Sequence, residues 1–267
     1  MSKQRPNVTS VSEKLKNGTT HPFSVKTDED KIYVLKGIHD ECTNKALINE
    51  LISARLAELL DLPIPPHKIV SLSQNLINEN TEMSLLNFKS GPCFASLYIK
   101  GNPRINPMYL ESITNKCDIP GIVLFDQIIL NSDRSNNDGN LYYNPKNKTL
   151  MIIDHTNIFG GFQYWTPNDL RQRMKIPPLT INNLDGKLYK YLVPYICGNS
   201  PFHKIEEKLN SVSASDISGL FLDIPLEWKL TSEDIDVMKE FILHQIKHYK
   251  EILPQLKNVF TQWKGAC

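Results

Sequence analysis

Hydrophobic and polar residues alternate along Phe23–Thr27 and again along Lys31–Ile38, on either side of the acidic run Asp28-Glu29-Asp30. Alternation broken by turn residues predicts strand, turn, strand. The period then lengthens. Leu47, Ile48, Leu51, Ile52, Leu56, Leu59 and Leu60 recur at helical spacing, which predicts a helix from near Lys45 to about Leu60, with Thr43 or Asn44 as its cap. The prolines of "DLPIPP" end it, since proline lacks the backbone donor a helix needs. "HKIVSLS" and "GPCFASLYI" read as two further strands, and the polar residues 1–17 as a loose start. The N-terminal order is therefore β-β-α-β-β, with a boundary near Gly101–Pro107. Beyond it Pro107–Lys116 and Gly121–Leu130 are helix candidates. "LYY", the turn "NPKNK" and "TLMIID" form a hairpin. A late helix starts at a box-like cap of Thr231 and Asp234 and carries one apolar stripe, from Ile235 through Leu253, up to Pro254. Residues 157–200 show no clear period. The class is α+β: a small β-rich lobe over residues 1–104, a larger mainly helical lobe over 105–267, and a cleft between them.

Composition narrows the partners. Lys and Arg total 30 against 29 Asp and Glu, a net charge of +1, so bulk electrostatics give no reason to expect a nucleic-acid or membrane partner. No apolar run approaches a membrane span, and "MSKQRPNVTSVSEKLKNG" lacks the apolar core of a signal peptide. The five cysteines are scattered without a C-x-x-C pair, which fits reduced thiols in the cytosol.

The chemistry-bearing stretch is "LNSDRSNNDGNLYYNPKNKTLMIIDHT", residues 130–156. Folding the hairpin about Lys146 returns Asn140 to the side of Ile152–Asp154. A loop carboxylate (Asp133), a carboxamide (Asn140) and a strand-end carboxylate (Asp154) suit phosphoryl transfer, in which a base orients a hydroxyl while Asn and Asp hold Mg²⁺ on nucleotide phosphates. Calcium fails on spacing: with Gly139 in the EF-hand glycine place, Arg134 and Pro145 fall on the first and last ligand positions. No G-x-S-x-G elbow is present. His155 follows Asp154 directly, and alternation points the two apart, so it reads as structural. Lys36 ends a strand and is either a solvated lysine or a cation aimed at phosphates. Glu50 lies on a helix face otherwise made of Ala46, Ser53, Ala54 and Ala57, where it could pair with that lysine or simply face solvent. "NGTTHP", with Gly18, Thr19 and Thr20, is a weak phosphate-loop candidate or a plain turn.

The ordered set "GTTHPFSV…YVLK", "NELISARLAELLDLPIPP", "GPCFASLYI", "FDQIILNSDRSNNDGNLYY" and "MIIDHT" resembles the short HipA-related kinases over roughly residues 15–160. The resemblance implies a bilobal protein-kinase-like fold using ATP and Mg²⁺, with transfer to a hydroxyl, most naturally a protein Ser or Thr. By position it implies Lys36 on phosphates, Glu50 paired with it, Asp133 as catalytic base, and Asn140 and Asp154 as metal ligands. The usual kinase loop has its Asn five residues after the Asp, where this chain has Asp138. Asn140 thus requires a longer loop, and Asp138 or Asn137 stays open as an alternative ligand. A small-molecule acceptor and a pseudokinase module are the competing readings.

Overall fold

Seven strands and eleven helices make up the computed structural model, which describes residues 5–15, 20–135, 137, 140–180 and 184–265. Strands β1 (Val8–Lys14), β2 (Phe23–Thr27), β3 (Ile32–Lys36), β4 (His67–Leu72) and β5 (Gly91–Leu97) form one sheet in the order β1-β2-β3-β5-β4, every pairing antiparallel. Pleating sorts its faces. Tyr33 and Leu35, with Phe23, Val25 and Val70, bury against Ile77 and Met83 of two short helices, α2 (Gln74–Glu79) and α3 (Thr81–Leu85). Lys36 and its partner across the ladder, Phe94, point the other way. There α1 (Asn44–Leu59) crosses the sheet.

Four elements depart from the expected pattern. Residues 8–14 are a strand, not a loose start: only Val8 is buried, and the ladder to β2 carries two irregularities. A polar, bulged strand is what a solvated sheet edge tolerates, so the apolar alternation that marks inner strands is missing. Helices α2 and α3 were not expected, and local side chains cap them: Ser73 accepts from Leu76 N and Asn80 from Met83 N. Helix α1 has nearly all its sides covered, Ala46 through Ala54 being buried without interruption, so it is a core helix rather than an amphipathic one.

Helices α4 (Pro107–Ser112) and α5 (Ile119–Ile128) follow the sheet, and every residue of α5 is buried. The hairpin β6 (Leu141–Asn144) and β7 (Thr149–Ile152) comes next, in the register Leu141↔Ile152 and Asn144↔Thr149. Helices α6 (Pro167–Arg173), α7 (Lys187–Leu192), α8 (His203–Ser211), α9 (Ala214–Gly219), α10 (Ser232–Lys247) and α11 (Tyr249–Val259) complete the larger body. Thr231 and Asp234 form the expected capping box of α10. The stripe beyond it belongs to two helices, since the chain breaks at His248, and Pro254 sits inside α11 instead of ending the run. The stripe reads as continuous because both helices turn their apolar residues to the same core.

The chain passes from the sheet to the helical body through Ile99–Asn102, and this crossing is fastened to the hairpin. Asn102 and Tyr143 exchange both backbone hydrogen bonds at 2.9 Å, and Tyr142 Oη donates to Ile99 O at 2.7 Å. A β-carbon on Gly101 would overlap the Tyr143 carbonyl oxygen and lie 2.6 Å from Tyr142 Cε1. Gly101→Ala is therefore expected to destabilise the fold by about 1–3 kcal/mol through forced backbone shifts. Denaturant unfolding checks this, and an unchanged midpoint would contradict it.

Histidines lowered by burial should make stability depend on pH, His39 and His67 among them. Burial lowers His39, whose Nε2 donates to Thr20 O and whose ring stacks on Phe88, with His21, Asp40 and Glu41 nearby. Burial likewise lowers His67, which faces Glu58 and Arg55. Below pH 6.5 the unfolded chain takes up protons that these folded-state imidazoles resist, so stability falls as pH falls, by up to about 1.4 kcal/mol per pH unit per histidine. The urea midpoint should drop between pH 7.5 and 5.5, and a flat profile would refute the expectation.

Candidate active site

β3 carries Lys36 to its last position, on the face that meets α1. Its Nζ donates to Glu50 Oε1 at 2.6 Å, to Asp154 Oδ1 at 2.8 Å and to Thr156 Oγ1 at 3.4 Å. Neither Lys36 (7% exposed) nor Glu50 (3% exposed) is a solvated side chain. Glu50 Oε1 also accepts from His155 N at 3.0 Å and from Thr156 Oγ1 at 2.7 Å. Asp154 follows β7 in the left-handed region, φ 58°, a conformation Asp tolerates better than most residues. That turn aims its carboxylate at Lys36 while His155 faces Arg134.

Electrostatics follow from this crowding. Burial alone would pull Lys36 down, but the Asp154 and Glu50 carboxylates outweigh it and hold the ammonium above its ordinary value. Asp154 feels burial in the opposite sense and is nevertheless held down to about 2 by Lys36. Burial pushes Glu50 up against the pull of Lys36. Lys36 is thus shared between two carboxylates, of which Asp154 is the one that still reaches solvent, with 22% of its side chain exposed.

Asp133 begins the loop after α5. Its Oδ2 accepts from Asn140 Nδ2 at 3.1 Å and Asn137 Nδ2 at 3.2 Å, and its backbone N–H donates to Asn131 Oδ1 at 3.2 Å. The hairpin returns Asn140 toward Asp154 as its register requires: Ile153 N donates to Asn140 O at 3.2 Å. Asn140 is thus bonded through its backbone to the residue before Asp154, while its side-chain amide turns to Asp133. Thr20 is apart from this cluster. It is buried, its carbonyl goes to His39, and its hydroxyl has no hydrogen-bond partner among the described residues. Gly18, Thr19 and Asp138 lie outside the described residues.

Under the loop lies a buried polar layer that sequence reasoning only touched. Arg134 is fully buried; its Nε donates to Asp126 Oδ2 at 2.7 Å and Oδ1 at 2.9 Å, its Nη1 to Asn140 O, and its Nη2 to His155 Nε2 at 2.9 Å. Asp126 also accepts from Asn131 Nδ2 and Tyr189 Oη, each at 3.0 Å. Burial, then the nearby Arg134 charge, keeps His155 well below its usual value, and because Arg134 can only donate, His155 Nε2 is the acceptor. Asp126, Thr156 and Tyr189 were not expected. The one signal for Asp126 was a lone carboxylate in the apolar run Ile119–Leu130.

An antiparallel sheet before a mainly helical body, with a strand lysine paired to a helix glutamate and a hairpin-end aspartate, is a bilobal protein-kinase-like fold. Solved structures agree. The Helicobacter pylori proinflammatory kinase CtkA superposes with TM-score 0.57 at 9% identity, covering 94% of this chain and 96% of that one. The Golgi casein kinase with Mn and ADP bound gives TM-score 0.51 at 11% identity, covering 92% and 73%. The sequence model of the HipA-like kinases matches residues 8–163, and the chain belongs to that family. Curated proteins give no significant sequence match.

Proposed function

We propose that this protein is an ATP- and Mg²⁺-dependent kinase that phosphorylates Ser or Thr hydroxyls of a protein. The observation that carries the reading is the Lys36 ammonium held between Glu50 and Asp154, with Asn140 bridging from that end of the hairpin to Asp133. In this reading Lys36, oriented by Glu50, binds nucleotide phosphates. Asp154 and Asn140 present a carboxylate and a carboxamide oxygen, a donor set that suits a hard cation. Bound Mg²⁺ would neutralise charge on the phosphates. Asp133 Oδ2 accepts from two amides, and in this reading its other oxygen, Oδ1, faces the acceptor hydroxyl. As the acceptor oxygen bonds to the γ-phosphorus and the bond to ADP breaks, Asp133 takes the hydroxyl proton.

A protein acceptor follows the family likeness, and a cytosolic setting is supported by Cys42, Cys93, Cys117 and Cys197 being unpaired thiols. No helix among the described residues is long and apolar enough to cross a membrane, and the near-zero net charge argues against a nucleic-acid partner. Incubation with γ-labelled ATP and Mg²⁺, followed by mass spectrometry of whatever carries the label, tests the reading. Label on protein Ser or Thr is the expected result. Label on a small molecule would replace the acceptor class, and nucleotide binding without any transfer would make the chain a pseudokinase.

A further inference from the structure

We propose that Asp126 is a positioning residue: through Arg134 and Asn131 it sets the mutual placement of Asp133, Asn140 and Asp154. The inference rests on the kinase reading and extends it to a carboxylate that reaches neither nucleotide nor acceptor.

Geometry carries the argument. A guanidinium is a rigid plane, so fixing one edge fixes the direction of the others. Asp126 takes the Nε edge of Arg134 with both of its oxygens. The remaining two nitrogens then reach the Asn140 carbonyl just before one strand of the hairpin and His155 just beyond the other. Arg134 cannot accept a hydrogen bond, so His155 Nε2 accepts and the ring proton sits on Nδ1. The separation of the two hairpin ends is thereby set from α5. A second route runs through Asn131: its Nδ2 donates to Asp126 while its Oδ1 holds the backbone N–H of Asp133. Tyr189 Oη braces Asp126 from α7, and the neighbouring Leu188 N donates to Ser135 O at 2.9 Å, tying the same helix to the loop.

Packing alone does not account for such an assembly. Asp126, Asn131, Arg134 and Tyr189 show no exposure at all, and apolar side chains of similar volume commonly hold a core equally well or better than a buried ion pair. The distinctive product of this layer is orientation, with all three groups at the cleft fixed from one side chain. Partners one step removed from a metal site typically change metal affinity or activity 10–100-fold when replaced.

The test measures ATP binding by calorimetry across a Mg²⁺ series for the wild type, Asp126→Asn and the milder Tyr189→Phe, at a temperature where circular dichroism shows each protein folded. Asp126→Asn should raise the Mg²⁺ concentration for half-maximal effect by about 10–100-fold, and Tyr189→Phe should shift it less in the same direction. ATP binding in EDTA should stay at the wild-type level for both. A purely architectural role would lower melting temperatures and leave the Mg²⁺ dependence alone, and that outcome overturns the inference. Should Asp126→Asn fail to fold, Tyr189→Phe decides. A wild type without metal-dependent ATP binding would overturn the kinase reading and this inference together. A wild type that shows it beside variants that match it would overturn this inference alone.

Discussion

Asp133→Asn should slow phosphoryl transfer by about 10²–10⁴-fold, the range general-base catalysis contributes, while ATP binding changes little. The reason lies in how the carboxylate is held. Two amide donors, from Asn137 and Asn140, converge on Oδ2. An asparagine at position 133 must turn its own oxygen toward them to avoid donor facing donor. Its NH₂ group then points where the acceptor hydroxyl has to deliver a proton, and it offers no lone pair there. If Asp133 only shaped the turn, the amide would serve equally well. Turnover at saturating ATP settles the matter, and a wild-type rate in Asp133→Asn would remove Asp133 from the mechanism.

Lys36→Ala should cost both nucleotide use and stability. A solvated strand-end lysine could be removed without harm to the fold, but this one is enclosed by Glu50, Asp154 and Thr156. Removing one partner of a buried ion pair strands the other charges, at a cost of about 3–5 kcal/mol. The pH dependence should change sign. In the wild type Asp154 is held down to about 2. Its contribution is therefore complete above pH 3.8 and lost as pH falls through about 2. Without the ammonium, two neighbouring buried carboxylates cannot both stay charged, and a raised folded-state value makes stability fall as pH rises. The stability gap between variant and wild type should thus narrow from pH 7 to pH 5 in chemical denaturation. A gap that does not vary over that interval would mean the pair is not coupled as the distances indicate.

These residues show what a linear reading could reach. Lys36 and Asp154 were legible because strand alternation and hairpin register are local rules, and a period of two leaves little freedom. Glu50 was legible by its isolation on a face of small residues. Asp126 and Tyr189 were not: they meet across 63 positions, and Tyr189 comes from a segment whose prolines and asparagines hide any period. Thr156 was passed over because a hydroxyl two residues past a strand end carries no pattern of its own. The span of helix α1 follows from its apolar period, but the burial of its polar residues Asn49 and Glu50 does not, because their partners arrive from elsewhere in the chain. Asn49, for example, donates to Thr156 O and accepts from Trp165 Nε1. Strand β1 escaped because edges are built from polar residues.

The fastening of Ile99–Asn102 to the hairpin limits how the molecule can breathe. If the crossing were a free joint, the helical body could swing away from the sheet about any of its bonds. Here such a swing must first break the paired Asn102–Tyr143 hydrogen bonds and the Tyr142–Ile99 bond, at roughly 0.5–1.5 kcal/mol each. The same swing must break the Trp228 Nε1 bond to Pro92 O on β5, at 2.9 Å, and the Asn44 Nδ2 bond to Trp228 O from α1, at 2.6 Å. Sheet and helical body are thus joined at the crossing, at Trp228 and at the Lys36–Asp154 pair, and they cannot part without breaking all three.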